Sequence, residues 1–146
     1  MKIRPAVIWG SLCVLLLDQV TKYAVRQSLA LGESIPVIPP IFSLTHVTNY
    51  GIGFGLLQNM VPFVVAASVV IILGLGYYVK SFPNKPLISF CFALLWGGSL
   101  GNLIDRLYFG YVTDFLNFHI WPVFNIADSA ISIGGVVLLF WLYRKE

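Results

Sequence analysis

Residues 60–79, MVPFVVAASVVIILGLGYYV, form a run of twenty without one charged side chain, and that run decides the fold class. At 1.5 Å per residue a helix of this length spans about 30 Å, the thickness of a bilayer's hydrocarbon core. Working outward, residues 87–104 supply a second apolar run, and residues 124–143 a third interrupted only by Asp128. The stretch from Pro5 to Leu17 is apolar and continues through Asp18 and Lys22 to about Ser28. The sequence therefore predicts an all-α membrane protein with four transmembrane helices, at about 5–28, 60–79, 87–104 and 124–143. These form a single integral membrane domain over residues 1–146, with connections at about 29–59 and 105–123.

Composition supports this reading. Of 146 residues, 58% are hydrophobic, 15% aromatic and only 10% charged, with a mean hydropathy of +0.86. Soluble domains carry roughly 25% charged residues, so this chain cannot clothe a globule in water. A cytosolic enzyme and a disordered tail are both excluded. A net charge of +3 on nine Lys/Arg leaves no nucleic-acid footprint. Cys13 and Cys91 lie in apolar runs without a Cys-x-x-Cys partner, which makes them packing residues and not a disulfide or metal framework.

The opening MKIRPAVIWGSLCVLLL has the form of a secretory signal. No small-x-small cleavage site follows, and the pattern runs on into DQVTK, so it reads as a retained helix. Leu12 stands where a lipoprotein signal would need a small residue before Cys13. With four spans, both termini and the Lys80–Pro86 connection fall on one side. Lys2, Arg4, Lys80, Lys85, Arg144 and Lys145, six of the nine basic residues, lie there. The positive-inside rule makes that side the cytoplasm and turns the two long connections outward.

In the first outer connection, Pro36, Pro39 and Pro40 break any helix. Phe42 and Leu44 alternate with Ser43 and Thr45, predicting a half-buried strand with the apolar pair inward. NYGIGFG follows, with three glycines in five positions suiting a tight turn. The second outer connection, LYFGYVTDFLNFHIWP, is aromatic-rich and suits the headgroup belt.

An aspartate at the centre of a membrane helix costs about 2.5–3.5 kcal/mol, so each needs a reason. All four, Asp18, Asp105, Asp114 and Asp128, fall in the outer half of a span or in the outer connections. Asp18 and Lys22 are an i,i+4 pair with the acid first. Gly98, Asn102 and Asp105 stack on one face of the third helix, and Gly97-x-x-x-Gly101 admits a close neighbouring backbone. Asn125, Asp128, Ser129 and Ser132 form one stripe on the fourth. Small and polar residues also glue membrane helices together, and that reading suits Asp18–Lys22 and the glycines. It suits Asp128 poorly, since no basic residue on its helix turn can neutralise it.

Two carboxylates a few Å apart cannot easily both ionise, so such a pair shares a proton. Its ionised member can draw a proton from water and its neutral member can protonate a leaving amine, without metal or cofactor. This is aspartic peptidase chemistry. Spacing alone leaves open which pair meets.

Five ordered motifs together resemble one family over nearly the whole chain, the prolipoprotein signal peptidases (signal peptidase II). DQVTK at Asp18–Lys22 is similar to D-x-x-T-K, and NYGIGFG to N-x-G-x-A-F-G. GGSLGNLIDR at Gly97–Arg106 is similar to G-G-x-x-G-N-x-x-D-R. VTDF at Val112–Phe115 and FNIADSAI, similar to F-N-x-A-D-x-x-I, complete the set. Gly53 departs from the family's usual alanine. The resemblance implies that Asp114 and Asp128 are the catalytic dyad, supported by Asp18, Lys22, Asn49, Gly51, Asn102, Asp105, Arg106 and Asn125. It also implies a substrate: a bacterial prolipoprotein whose cysteine carries diacylglycerol, cut just before that cysteine. The implied location is the bacterial cytoplasmic (inner) membrane, with cytoplasmic termini, the site toward the outer face and membrane lipid around it. Nothing in the pattern demands more than a monomer.

Other classes compete. GGSLG fits G-x-S-x-G, with His46 and His119 on the same outward side, as in a serine peptidase. A nucleophile elbow needs a strand-to-helix turn, however, and Ser99 lies in a helical run. A zinc peptidase would need HExxH, which is absent from the sequence. A proton-coupled transporter also uses membrane acids, but near the midplane, where only Asp18 would suit. A purely structural membrane subunit leaves Asp128 without a reason.

Overall fold

A computed structural model describes residues 4–51 and 60–144. Gly53 and the rest of the glycine-rich turn after Gly51 lie outside the described residues, as do Lys2 and Lys145 of the charge count. In chain order the elements are α1 (Pro5–Ser28), β1 (Ser34–Ile38), β2 (Phe42–Asn49), α2 (Val61–Tyr78), α3 (Pro86–Phe109), β3 (Val112–Asn117) and α4 (Ile126–Tyr143). All four helices are long and apolar enough to cross a membrane.

Proline sets three of the helix starts. Pro5, Pro62 and Pro86 occupy the first or second helical position, where a missing N–H costs nothing. Helix α3 is longer than its apolar run: it continues to Phe109 and stops where Gly110 turns left-handed at φ 78°, its N–H closing on the Arg106 carbonyl at 3.1 Å. Asp105 and Arg106, expected in the outer connection, therefore belong to the last turns of the helix. A charged residue does not end a helix when a partner meets it.

α3 is the central helix, packed between α1 and α4 with α2 at its side. Two adjacent glycines make this possible. A Cβ on Gly97 would stand 2.6 Å from the Ser11 carbonyl of α1, and one on Gly98 2.6 Å from the Ala127 carbonyl of α4. Both neighbouring backbones press onto the same turn of α3. At one end of the bundle Arg4 bonds the Phe82 carbonyl, and Phe82 meets Trp141 at 6.3 Å between ring centroids. The start of α1, the α2–α3 connection and the end of α4 thus share that end.

At the other end lies a three-stranded antiparallel sheet in the order β1-β2-β3. Pro36 fits because β1 is an edge strand. Phe42 and Leu44 are half-buried, Leu44 against the Val25, Leu29 and Phe115 cluster, while Ser43 and His46 are the fully buried residues of β2. The register slips between Leu44 and Val47, breaking the two-residue alternation. Ser43 Oγ pairs with His119 Nε2 at 3.0 Å and His46 Nδ1 with the Leu29 carbonyl at 2.9 Å, while His46 Nε2 is buried with no hydrogen-bond partner among the described residues. The second connection, read as an aromatic belt, contains β3 and sets Asp114 opposite Val47.

Candidate active site

The site lies where β3 meets the end of α1, the end of α3 and the start of α4. It has a closed charged base and an open polar face.

The base forms first. Lys22 Nζ lies 2.9 Å from Asp18 Oδ2 and 3.2 Å from Asp105 Oδ2, and all three side chains are fully buried. Gln19 bridges the two acids, donating at 3.2 Å to Asp18 and 3.1 Å to Asp105. Arg26 stands 3.8 Å from Asp105, donates to Thr113 Oγ1 at 3.0 Å and covers the Phe109 ring at 4.5 Å. Two acids thus face two cations, and the cluster closes near neutrality, as buried charge must. The acids also grip backbone. Asp18 accepts from Ala127 N at 2.9 Å and Asp105 from Thr113 N at 3.0 Å, fixing the start of α4 and the residue before Asp114.

Two asparagines join this base to the open face. Asn102 Oδ1 accepts from Lys22 Nζ at 2.9 Å and from Asn125 Nδ2 at 3.1 Å, so its own amide N–H is turned to Asp128 Oδ1 at 2.7 Å. Asn125 Nδ2 donates to Asp114 Oδ1 at 2.7 Å, and Asn49 Nδ2 to Asp114 Oδ2 at 3.0 Å. Asn49 also holds Gly51 N at 3.0 Å, and Arg106 reaches the Gly51 carbonyl at 2.7 Å. Every residue that the resemblance implied for the dyad and its supports belongs to one connected network. Gln19, Arg26 and Thr113 belong to it as well and were not singled out. Arg26 follows Lys22 by one helical repeat, and that spacing was the available signal.

Asp114 and Asp128 both line a cavity of about 590 Å³, with Asn49, Asn102, Arg106 and Trp121 around them. Burial pushes the Asp114 carboxyl up to about 7, and the neighbouring Asp128 charge adds to the push. Hydrogen bonds from Asn49 and Asn125 and the Lys22 charge pull the other way. A proton is therefore at hand near neutral pH, beside a second carboxylate held by an amide. Ser99 also lines the cavity but lies well inside α3. His46 bonds the Leu29 carbonyl and His119 bonds Ser43, so among the described residues neither histidine serves Ser99. Among the described residues, no three His, Cys, Asp or Glu side chains converge as metal ligands.

Residues 11–144 match the family model of signal peptidase (SPase) II. The chain belongs to the signal peptidase II family. It is 52% identical to the lipoprotein signal peptidase of Pelotomaculum thermopropionicum over 135 residues, covering 91% of this chain and 88% of the relative. With the lipoprotein signal peptidase of Halothermothrix orenii it shares 46% over 136 residues, covering 92% and 93%. The fold matches a bacterial membrane enzyme solved by the in meso method, with TM-score 0.90 at 33% identity over 94% of this chain and 87% of that one. A second such structure gives TM-score 0.87 at 32% identity, covering 96% and 94%. Signal peptidase II is a protease family, and this member is a multi-pass membrane protein.

Proposed function

We propose that this protein is a membrane aspartic endopeptidase that removes the signal peptide from diacylglyceryl-modified prolipoproteins, cutting just before the lipidated cysteine. The observation that carries the reading is the pairing of Asp114 and Asp128 in one cavity, linked through Asn125 and Asn102.

In this mechanism Asp128 is the ionised member and takes a proton from the attacking water as its oxygen bonds to the scissile carbonyl carbon. Asp114, neutral below about pH 7, gives its proton to the leaving nitrogen as the C–N bond breaks. The pair ends with one proton, now on the opposite partner, and a further exchange resets it. Arg106, on the cavity wall beside both acids, is the donor for the scissile carbonyl. No cofactor enters, and one copy of the chain supplies every group.

The substrate's acyl chains remain in the bilayer while its polar backbone meets the acids, so lateral diffusion delivers it. The excess of basic residues at the opposite end of the bundle supports cytoplasmic termini and a dyad near the outer face of the bacterial inner membrane.

The test is cleavage of a diacylglyceryl-modified lipobox peptide in detergent by wild type, Asp114→Asn, Asp128→Asn and Ser99→Ala. The expected result is loss in the two aspartate variants alone, with normal folding. Turnover by either Asn variant would sink the dyad, and loss in Ser99→Ala would favour a serine mechanism.

A further inference from the structure

We infer that the β1–β2 hairpin is a membrane wedge, whose tip around Val37–Ile41 is immersed on both faces in the lipid of the leaflet beside the catalytic cavity. This inference rests only on the four helices crossing a bilayer, not on the peptidase mechanism.

Composition is the first argument. Between Glu33 and Lys80 the sequence has no Asp, Glu, Lys or Arg. The hairpin therefore has none of the charge with which a water-facing edge strand normally guards itself. Exposure is the second. Ile35, Val37, Ile38 and Ile41 are each 48–60% exposed, and every residue of β1 is exposed. The register slips at Val37, so strict alternation fails there, but Val37, Ile38, Pro39, Pro40 and Ile41 are all apolar and all exposed, which leaves the tip no polar side chain on either side. A hairpin lying flat on a membrane would keep one polar face; this one has none at its tip.

Position is the third argument. The base is fastened to the end of α1: Leu29 bonds His46 at 2.9 Å, and Gly32 N meets the His46 carbonyl at 2.8 Å. From the Ser34–Thr45 pair to the Ile38–Phe42 pair the hairpin reaches about 13 Å. Its apolar surface then continues through Phe42, tilted against Phe118 at 4.8 Å between ring centroids, to Phe124, stacked on Phe118 at 5.9 Å and on the cavity wall. Apolar side chains thus run from the hairpin to the wall of the cavity. Since β2 carries Asn49 and pairs with the strand of Asp114, an immersed tip would also hold those residues at a fixed depth.

The test is depth measurement by site-directed spin labelling of the full chain in liposomes, with Cys13 and Cys91 replaced by alanine. Labels at Val37→Cys and Ile38→Cys are compared with Val70→Cys, in the middle of α2, and Lys80→Cys, in the α2–α3 connection. Both hairpin labels should resemble position 70, colliding more with oxygen than with a water-soluble nickel chelate by severalfold. Labels resembling position 80 would overturn the wedge. So would a lipid signal at only one of the two positions, or protection from both reagents, which would indicate a protein partner or a second copy. Cleavage activity of each labelled protein in detergent separates misfolding from misplacement.

Discussion

Asn125 and Asp128 cap each other at the first turn of α4: the Asn125 side chain accepts from Asp128 N at 2.9 Å, and Asp128 accepts from Asn125 N at 3.3 Å. This reciprocal box satisfies two of the helix's orphan N–H groups and places an acid at the positive end of its dipole. The same two side chains reach Asp114 and Asn102. Stability and chemistry therefore use different atoms of one pair, and substitutions can separate them. Asp128→Asn keeps an oxygen for the cap and should unfold within a few degrees of wild type while losing cleavage. Asp128→Ala should lose cleavage and about 1 kcal/mol besides. Thermal unfolding in detergent beside the peptide assay decides this.

The raised Asp114 carboxyl fixes the direction of the pH response. Its proton is needed for the leaving nitrogen, so cleavage should be half-maximal at about pH 7 and fall roughly tenfold per unit above it. Folding responds with the same sign. Between the ordinary value of 3.8 and about 7 the folded state holds a proton that the unfolded chain has released, so stability falls as pH rises through that window. Removing the neighbouring charge with Asp128→Asn should lower the Asp114 midpoint, but not to 3.8, because burial is the larger cause. Carboxyl ¹³C chemical shifts against pH would measure it. A midpoint unmoved by Asp128→Asn would mean that the two acids do not interact.

The four helices were legible because a bilayer span leaves a simple signature of length and missing charge. Asp18, Lys22 and Asn102 were legible because helical spacing fixes their faces. The helix ends were less so: α3 outruns its apolar stretch because Lys22 and Thr113 N, distant in sequence, satisfy Asp105. The sheet was least legible. β3 is buried on both faces from Val112 to Phe115, so it carries no alternation, and the slip in β2 between Leu44 and Val47 interrupts its alternation, with His46 buried inside it. The meeting of Asp114 with Asp128 depends on that sheet, which is why spacing alone left the pair open.

Lys22 is the cation on which the base closes. Lys22→Met should leave Asp18 and Asp105 buried with only Gln19 and a more distant Arg26 between them. Breaking such a pair costs about 3–5 kcal/mol. The double variant Asp18→Asn/Lys22→Met removes one acid with the cation and should recover part of that loss, since Arg26 can still serve Asp105. Yield of monodisperse protein and thermal midpoint would report both. Equal damage in the single and double variants would show that the charge balance is not what holds the cluster.

α1 and α3 approach as closely as a glycine allows. Gly97→Ala would put a methyl 2.6 Å from the Ser11 carbonyl and 2.7 Å from Val14 Cβ. The first of these is backbone and cannot rotate away, so α1 must move off α3. Overpacking of this kind costs about 1–3 kcal/mol. The damage should reach the site as well, because α1 carries Asp18, whose carboxylate holds Ala127 N at the start of α4. Gly135 is a helical glycine with open space around its Cβ position, so Gly135→Ala should be neutral or stabilise by up to about 1 kcal/mol. Measured side by side, the two variants separate glycine required for contact from glycine merely tolerated. A Gly97→Ala protein with wild-type stability and cleavage would mean that α1 and α3 are not held at this distance, and the charged base would then lack its frame.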